Sequence, residues 1–172
     1  MKQLYLLRHA KSDWQDTDLA DFDRPLNARG CKAAQRMARF LREHRIVPAM
    51  ILCSQAKRTR QTLRWLEPAV GGVPAAFDKR IYEAAPRTLL ACLRDLPAGL
   101  PSVLLIGHNP GIEQLLRLLA ADNGTPEALA RVAEKYPTCA LSMLTSGIED
   151  WRGLGPASCR LDRFVRPADL DR

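Results

Sequence analysis

Leu4-Tyr5-Leu6-Leu7-Arg8-His9-Ala10-Lys11-Ser12 is the stretch from which the fold can be read. Its apolar run is too short for an ordinary helix and reads as a buried strand over residues 3–7. The run ends abruptly in a basic pair, Arg8-His9. A strand that delivers a cation and an imidazole to its carboxyl end is a common way to build a site in an α/β protein. A strand followed by a charged turn explains this stretch equally well. A second stretch of the same design shifts the balance: Val103-Leu104-Leu105-Ile106-Gly107-His108-Asn109. The chain has 3 histidines, and two of them follow its two most strand-like runs.

Outward from these runs, strands and helices alternate. Residues 11–26 form a polar, Asp-rich loop, and long loops of this kind are often functional. Asn27 caps a helix expected to run to about His44, with Cys31, Ala34, Met37, Ala38 and Leu41 as its buried stripe. His44 falls in the basic helix end, where a cation is favoured, and carries no expected role. Met50-Ile51-Leu52-Cys53 is a second short strand. Ser54 is expected to cap a helix over residues 55–67, and Pro68, Gly71, Gly72 and Pro74 mark the loop after it. Residues 76–82 read as a strand. Pro86 opens a helix with Leu89, Leu90, Leu93 and Leu96 on its apolar face, and residues 102–106 form the next strand. Asn109-Pro110-Gly111 starts another helix, with Asn as the cap and Pro at the first helical position. A short helical piece within residues 122–137 reads as an insertion over the site. Residues 139–145 and 159–165 are the last strands. This order predicts an α/β three-layer sandwich: a mainly parallel central sheet with an antiparallel edge, in a single domain spanning residues 1–172.

The composition narrows the class. With 172 residues, 47% hydrophobic and 26% charged, the chain reads as a soluble globular protein with a real core. No run approaches the roughly 20 apolar residues that span a bilayer, and no signal peptide is visible, so a cytoplasmic location is expected. The 5 cysteines are scattered and never in C-x-x-C spacing, which argues against disulfides or a zinc site. The net charge of +7 suits an anionic partner. Nucleic acid is a weaker candidate: aromatics are few, and no basic stripe with stacking rings is evident.

The carboxyl ends of the first, second and fourth strands should converge on one crevice. They supply Arg8 and His9, then Ser54 with Arg58 one turn into its helix, then His108. Two imidazoles and two guanidiniums make an electropositive pocket suited to a phosphoryl group, because guanidinium forks match phosphate oxygens. Phosphoryl transfer is catalysed mostly by positioning and charge stabilisation, and an imidazole can serve as nucleophile.

Four pieces, in order, resemble the histidine phosphatase superfamily, which includes the cofactor-dependent phosphoglycerate mutases. Residues Arg8 to Trp14 resemble its R-H-G-x-S-x-W stretch. Arg24-Pro25-Leu26-Asn27-Ala28-Arg29-Gly30 is similar to P-L-[TS]-x-x-G, and Ser54 to Thr62 resemble S-P-x-x-R-A-x-Q-T. Gly107-His108-Asn109 resembles the second-histidine motif. The small size, the R-P-L-x-x-x-G loop and the G-H-N-P start place the likeness nearest the SixA-type branch, whose namesake is a phosphohistidine phosphatase.

The resemblance implies a metal-independent phosphatase with no cofactor, acting on a phosphohistidine protein or a small phosphate ester. His9 would be the nucleophile, Arg8 and Arg58 would hold the phosphoryl oxygens, and His108 would donate to them. It further implies a neutral His9 beside a charged His108. Glu83 is the candidate proton donor, with a solvated loop glutamate as the plain alternative. Asp13, Asp16, Asp18, Asp21 and Asp23 are the other candidates, each more simply a solvated loop residue. Ala10 stands where the family usually has Gly, Gln15 where mutases often have Asn, and Gln55 where Pro is usual. The chain lacks the long insertions that would enclose a phosphoglycerate, which disfavours a mutase. Two further readings are a basic nucleic-acid-binding module and a catalytically silent interaction module. Oligomeric state is not legible, and specificity is expected from residues 11–24 and 122–137.

Overall fold

A computed structural model describes residues 1–170 of the protein. Six strands, β1 (Lys2–Arg8), β2 (Met50–Cys53), β3 (Ala75–Phe77), β4 (Ser102–Gly107), β5 (Leu141–Ser146) and β6 (Arg160–Val165), form one sheet in the order β3-β2-β4-β1-β5-β6. The first four pair in parallel, while β5 and β6 are antiparallel. The expected parallel sheet with an antiparallel edge is therefore what forms. Among the described residues five α-helices accompany it: α1 (Ala28–Glu43), α2 (Lys57–Val70), α3 (Pro86–Arg94), α4 (Gly111–Ala120) and α5 (Pro126–Glu134).

Alternation along the central strands divides the core into two layers. Leu4 and Leu6 of β1, with Val103 and Leu105 of β4, pack against the apolar faces of α3 and α4. Tyr5 and Leu7, with Leu104 and Ile106, pack against α1 and α2. Both faces are covered, which is why these strands read as unbroken apolar runs. Trp151 closes the first layer; it is fully buried and its indole N–H donates to the Leu100 carbonyl at 2.9 Å. No helix among the described residues is long and apolar enough to cross a membrane.

Several expected boundaries move, for local reasons. The helix expected over residues 55–67 starts at Lys57 and continues through Pro68 to Val70. Leu63, Leu66 and Val70 form one buried stripe, and its packing outweighs the hydrogen bond that proline removes. The strand expected over 76–82 stops at Phe77. Asp78 accepts a hydrogen bond from the Arg80 N–H at 2.9 Å and turns the chain into a short 3-10 turn, Lys79–Ile81. Asn109 and Pro110 lie one position earlier than expected, with Pro110 at the cap and Gly111 first in the helix. Asn109 still accepts from the Glu113 N–H at 3.2 Å. Ser54 is not the helix cap, a position taken by Ala56. The helical piece expected within residues 122–137 forms α5, which packs on β6, while Lys135 and Pro137 just after it reach the site.

Asn27 caps α1 as expected, accepting from the Gly30 N–H at 2.8 Å, while its own amide donates to the Ser12 carbonyl at 3.3 Å. This anchors the helix start to the loop leaving β1. Gly30 makes the approach possible, since a Cβ there would lie 2.1 Å from the Lys11 carbonyl oxygen.

Candidate active site

β1 and β4 are neighbours with Arg8 opposite Gly107, so the residue following each strand lands beside the other. His9 and His108 are therefore adjacent, with ring centroids 5.2 Å apart. The His9 backbone N–H donates to the Gly107 carbonyl at 3.0 Å. Arg58 reaches the pair from the first turn of α2, and its Nε–H donates to His9 Nε2 at 3.3 Å. The three side chains are buried.

His9 is held in one tautomer. Its Nδ1 lies 2.7 Å from the Ala10 carbonyl, which can only accept. Nδ1 must then carry the proton, leaving the Nε2 lone pair directed toward the Arg58 fork. Burial pushes the His9 pKa down to about 4; the Ala10 contact opposes this, and the Arg58, Arg8 and Arg24 charges add to it. His108 is pushed down to about 3, first by burial and then by His9 and Arg58. Its Nε2 lies 2.7 Å from Ser54 Oγ. The expected split between a neutral and a charged imidazole is thus not what the fold sets up. Both rings are neutral at neutral pH, because both are desolvated among arginines.

Arg8 lies at the crevice beside them. Its Nη1 donates to the Tyr136 carbonyl at 3.0 Å, and its buried Nε has no hydrogen-bond partner among the described residues. The Arg58 fork also faces a carboxylate. It donates to the Asp21 carbonyl at 2.7 Å and to Asp21 Oδ2 at 3.0 Å. Arg24 and the Tyr82 hydroxyl donate to the same carboxylate. Burial opposes ionisation of Asp21, but these hydrogen bonds outweigh it and hold the carboxyl well below the usual range. Arg24 in turn donates to Ser12 Oγ at 2.8 Å and stacks on the Trp14 ring, 3.4 Å from its centroid.

Arg8, His9, Ser12, Trp14, Asp21, Arg24, Arg58 and His108 line a cleft of about 590 Å³ that also includes Glu83, Lys135, Pro137 and Thr138. Glu83 stands at a left-handed φ of 51°, exposed at the rim, with no hydrogen bond or ion pair among the described residues. All five predicted site residues, Arg8, His9, Arg58, Glu83 and His108, therefore meet in one cleft. Sequence reasoning missed the binding of Asp21 to two arginines, the place of Arg24 and Tyr82, and the Ser54 contact to His108. Arg24 had a signal in the R-P-L motif. Asp21 had none, being one of five similar carboxylates in one loop. His44 lies outside the cleft, with Nδ1 on the Phe40 carbonyl at 3.0 Å.

The sequence profile of the Histidine phosphatase superfamily (branch 1) matches residues 4–89. The chain belongs to this superfamily. Among solved structures it is similar to the SixA protein of Agrobacterium tumefaciens, provisionally assigned as a phosphohistidine phosphatase. The two share 31% identity over 96% of this chain and 98% of that one, with a TM-score of 0.82. A SixA protein complexed with tungstate aligns over 98% and 99% of the two chains with a TM-score of 0.79; at 23% identity it shows the fold. An uncharacterised Mycobacterium tuberculosis protein is 35% identical over 94% of this chain and 99% of its own length. These likenesses make the chain a hydrolase of the histidine phosphatase type, in the SixA-type branch. No cluster of metal-ligating side chains occurs among the described residues.

Proposed function

We propose that the chain is a single catalytic domain that hydrolyses a phosphohistidine protein through a covalent phosphohistidine on His9. The observation that carries this is the fixed His9 tautomer. Nδ1–H is committed to the Ala10 carbonyl at 2.7 Å, so Nε2 keeps its lone pair, and burial keeps it unprotonated with a pKa of about 4. An in-line attack by Nε2 on phosphorus forms the N–P bond as the bond to the leaving group breaks. Arg8 and Arg58 hold the equatorial oxygens, where charge is spread in the transition state. His108 stands beside them as a further donor. A phosphoryl dianion would raise its pKa from about 3, so that it gains a proton as charge arrives.

The leaving group needs a proton. Asp21 and Glu83 are the carboxyl groups of the cleft among the described residues, and Asp21 is held ionised by its partners. Glu83 is therefore the assigned donor. A leaving imidazole asks less of this acid than an alkoxide does. Water then attacks the phosphoenzyme and releases inorganic phosphate, restoring His9. The reading takes the enzyme as cytoplasmic, in keeping with five free cysteines.

The test is rapid-quench trapping with a radiolabelled phosphohistidine peptide. An acid-labile, base-stable label on His9 is expected, absent in His9→Ala, with turnover unaffected by a chelator. Full turnover by His9→Ala would remove the nucleophile assignment.

A further inference from the structure

A second groove opens directly off the catalytic cleft. It is about 640 Å³ and shares Lys11, Lys135, Pro137 and Thr138 with the cleft. Among the described residues its cations are Lys11, Arg29, Lys32, Arg36, Lys135 and Arg166, against one carboxylate, Glu134. Arg166 is already committed to Asp169 and Glu134. Lys11, Arg29, Lys32 and Lys135 are exposed and make no ion pair among the described residues. Arg29, Lys32 and Arg36 recur along one face of α1, a run of about 10 Å at 1.5 Å per residue.

Helix stability does not account for this placement. Arg29 lies in the first turn of α1, which contains no acidic residue. Cations there oppose the helix dipole and cost the helix a few tenths of a kcal/mol each. Their charge is better explained by something outside the helix.

We propose that this groove binds an acidic segment flanking the phosphorylated residue of a protein substrate. The inference rests on the phosphatase reading for what enters the cleft, and it adds what lies beside it. Lys11, Arg29, Lys32 and Lys135 are more cations than one phosphoryl group can engage, so the groove suits an extended anionic chain. A protein is favoured over a nucleic acid for two reasons. The groove has no aromatic side chain in its lining, hence no platform for stacking bases. The loop over residues 11–26, which lines the cleft through Trp14, Asp21 and Arg24, also carries Asp13, Asp16, Asp18 and Asp23. Those carboxylates repel a uniform polyanion, while a protein surface of mixed charge can match both signs.

The test uses two phosphohistidine peptides of equal length, one flanked by Glu residues and the other by Gln at the same positions. The intact chain should turn over the Glu peptide with a kcat/KM about tenfold higher at low salt, the difference disappearing near 0.5 M salt as screening sets in. In Arg29→Glu/Lys32→Glu the ratio between the peptides should fall to one or below. Using a ratio within each protein removes any general loss of folding. Equal kcat/KM for the two peptides in the intact chain, or an unchanged ratio in the double variant, would overturn the groove. A second arm reads binding without turnover, by fluorescence anisotropy of the unphosphorylated Glu peptide on His9→Ala. Salt-sensitive binding there that is lost on adding the double substitution supports the groove even if neither phosphopeptide is hydrolysed, a result that would count against the phosphatase reading alone. Tighter binding of an oligothymidylate than of the Glu peptide would overturn the choice of occupant.

Discussion

Replacing Asp21 by asparagine removes one charge from the cleft while keeping a side chain of the same shape. The carboxylate sits on Arg58 at 3.0 Å, with Arg24 and Tyr82 on it as well. A phosphoryl group entering the cleft needs the Arg58 fork, so it competes with Asp21 for the same N–H groups. The Asp21 side chain is 41% exposed, so the pair is partly screened and contributes about 1 kcal/mol. Asparagine keeps an oxygen for the hydrogen bonds but gives up most of that attraction. Inorganic phosphate should then bind about fivefold tighter. The assay is competitive inhibition of p-nitrophenyl phosphate hydrolysis by phosphate, comparing KI for the two proteins at constant ionic strength. A weaker KI in Asp21→Asn would refute the reasoning. It would mean that the carboxylate orients Arg58 for its ligand, and that this orientation outweighs the competition.

Three further expectations concern acid, leaving group and packing. Both imidazoles have folded pKa values, about 4 and about 3, below the ordinary 6.5. The unfolded chain therefore binds more protons between those limits, so stability is full above about pH 6.5 and falls as pH drops toward 4. Denaturant midpoints measured across this range should decline, and less steeply in His108→Asn; an identical slope would count against the burial of a neutral His108. Glu83→Gln should slow hydrolysis of an alkyl phosphate by about 100-fold yet change p-nitrophenyl phosphate turnover little, because nitrophenolate leaves without a proton. Equal losses on the two substrates would remove Glu83 as the donor. Gly30→Ala drives a Cβ to within 2.1 Å of the Lys11 carbonyl. It should cost about 3 kcal/mol and lower Tm by about 10 °C, which a thermal melt would check; an unchanged Tm would show that the loop yields freely.

The layered fold and the histidine–arginine set were legible because each rests on a local signal. Strands buried on both faces write themselves as unbroken apolar runs, and a parallel sheet gathers their carboxyl ends without further instruction. Arg8, His9, Arg58 and His108 are all placed by that rule alone. What could not be read depends on loops. Asp21 meets Arg58 only because the loop between β1 and α1 folds back over α2, and nothing local separates it from Asp13 or Asp18. Helix ends misled where tertiary packing overrode punctuation, as at Pro68, held in the helix by the buried Val70 beyond it. The strand expected through Tyr82 failed for the opposite reason: the Asp78 side chain captured a backbone N–H that a longer strand would have used.

The anchoring of Arg8 has a consequence for biosynthesis. Its guanidinium is fastened to the carbonyl of Tyr136, 128 residues further along the chain, and β1 itself lies between β4 and β5. A nascent chain leaving the ribosome thus exposes its reactive histidine early, but with neither neighbouring strand to receive it. β1 is made well before the two strands that flank it. Such long-range closure is entropically slow, and until β4 and β5 emerge the apolar Leu4–Leu7 run has no sheet to enter. That run is where a chaperone would have most to protect.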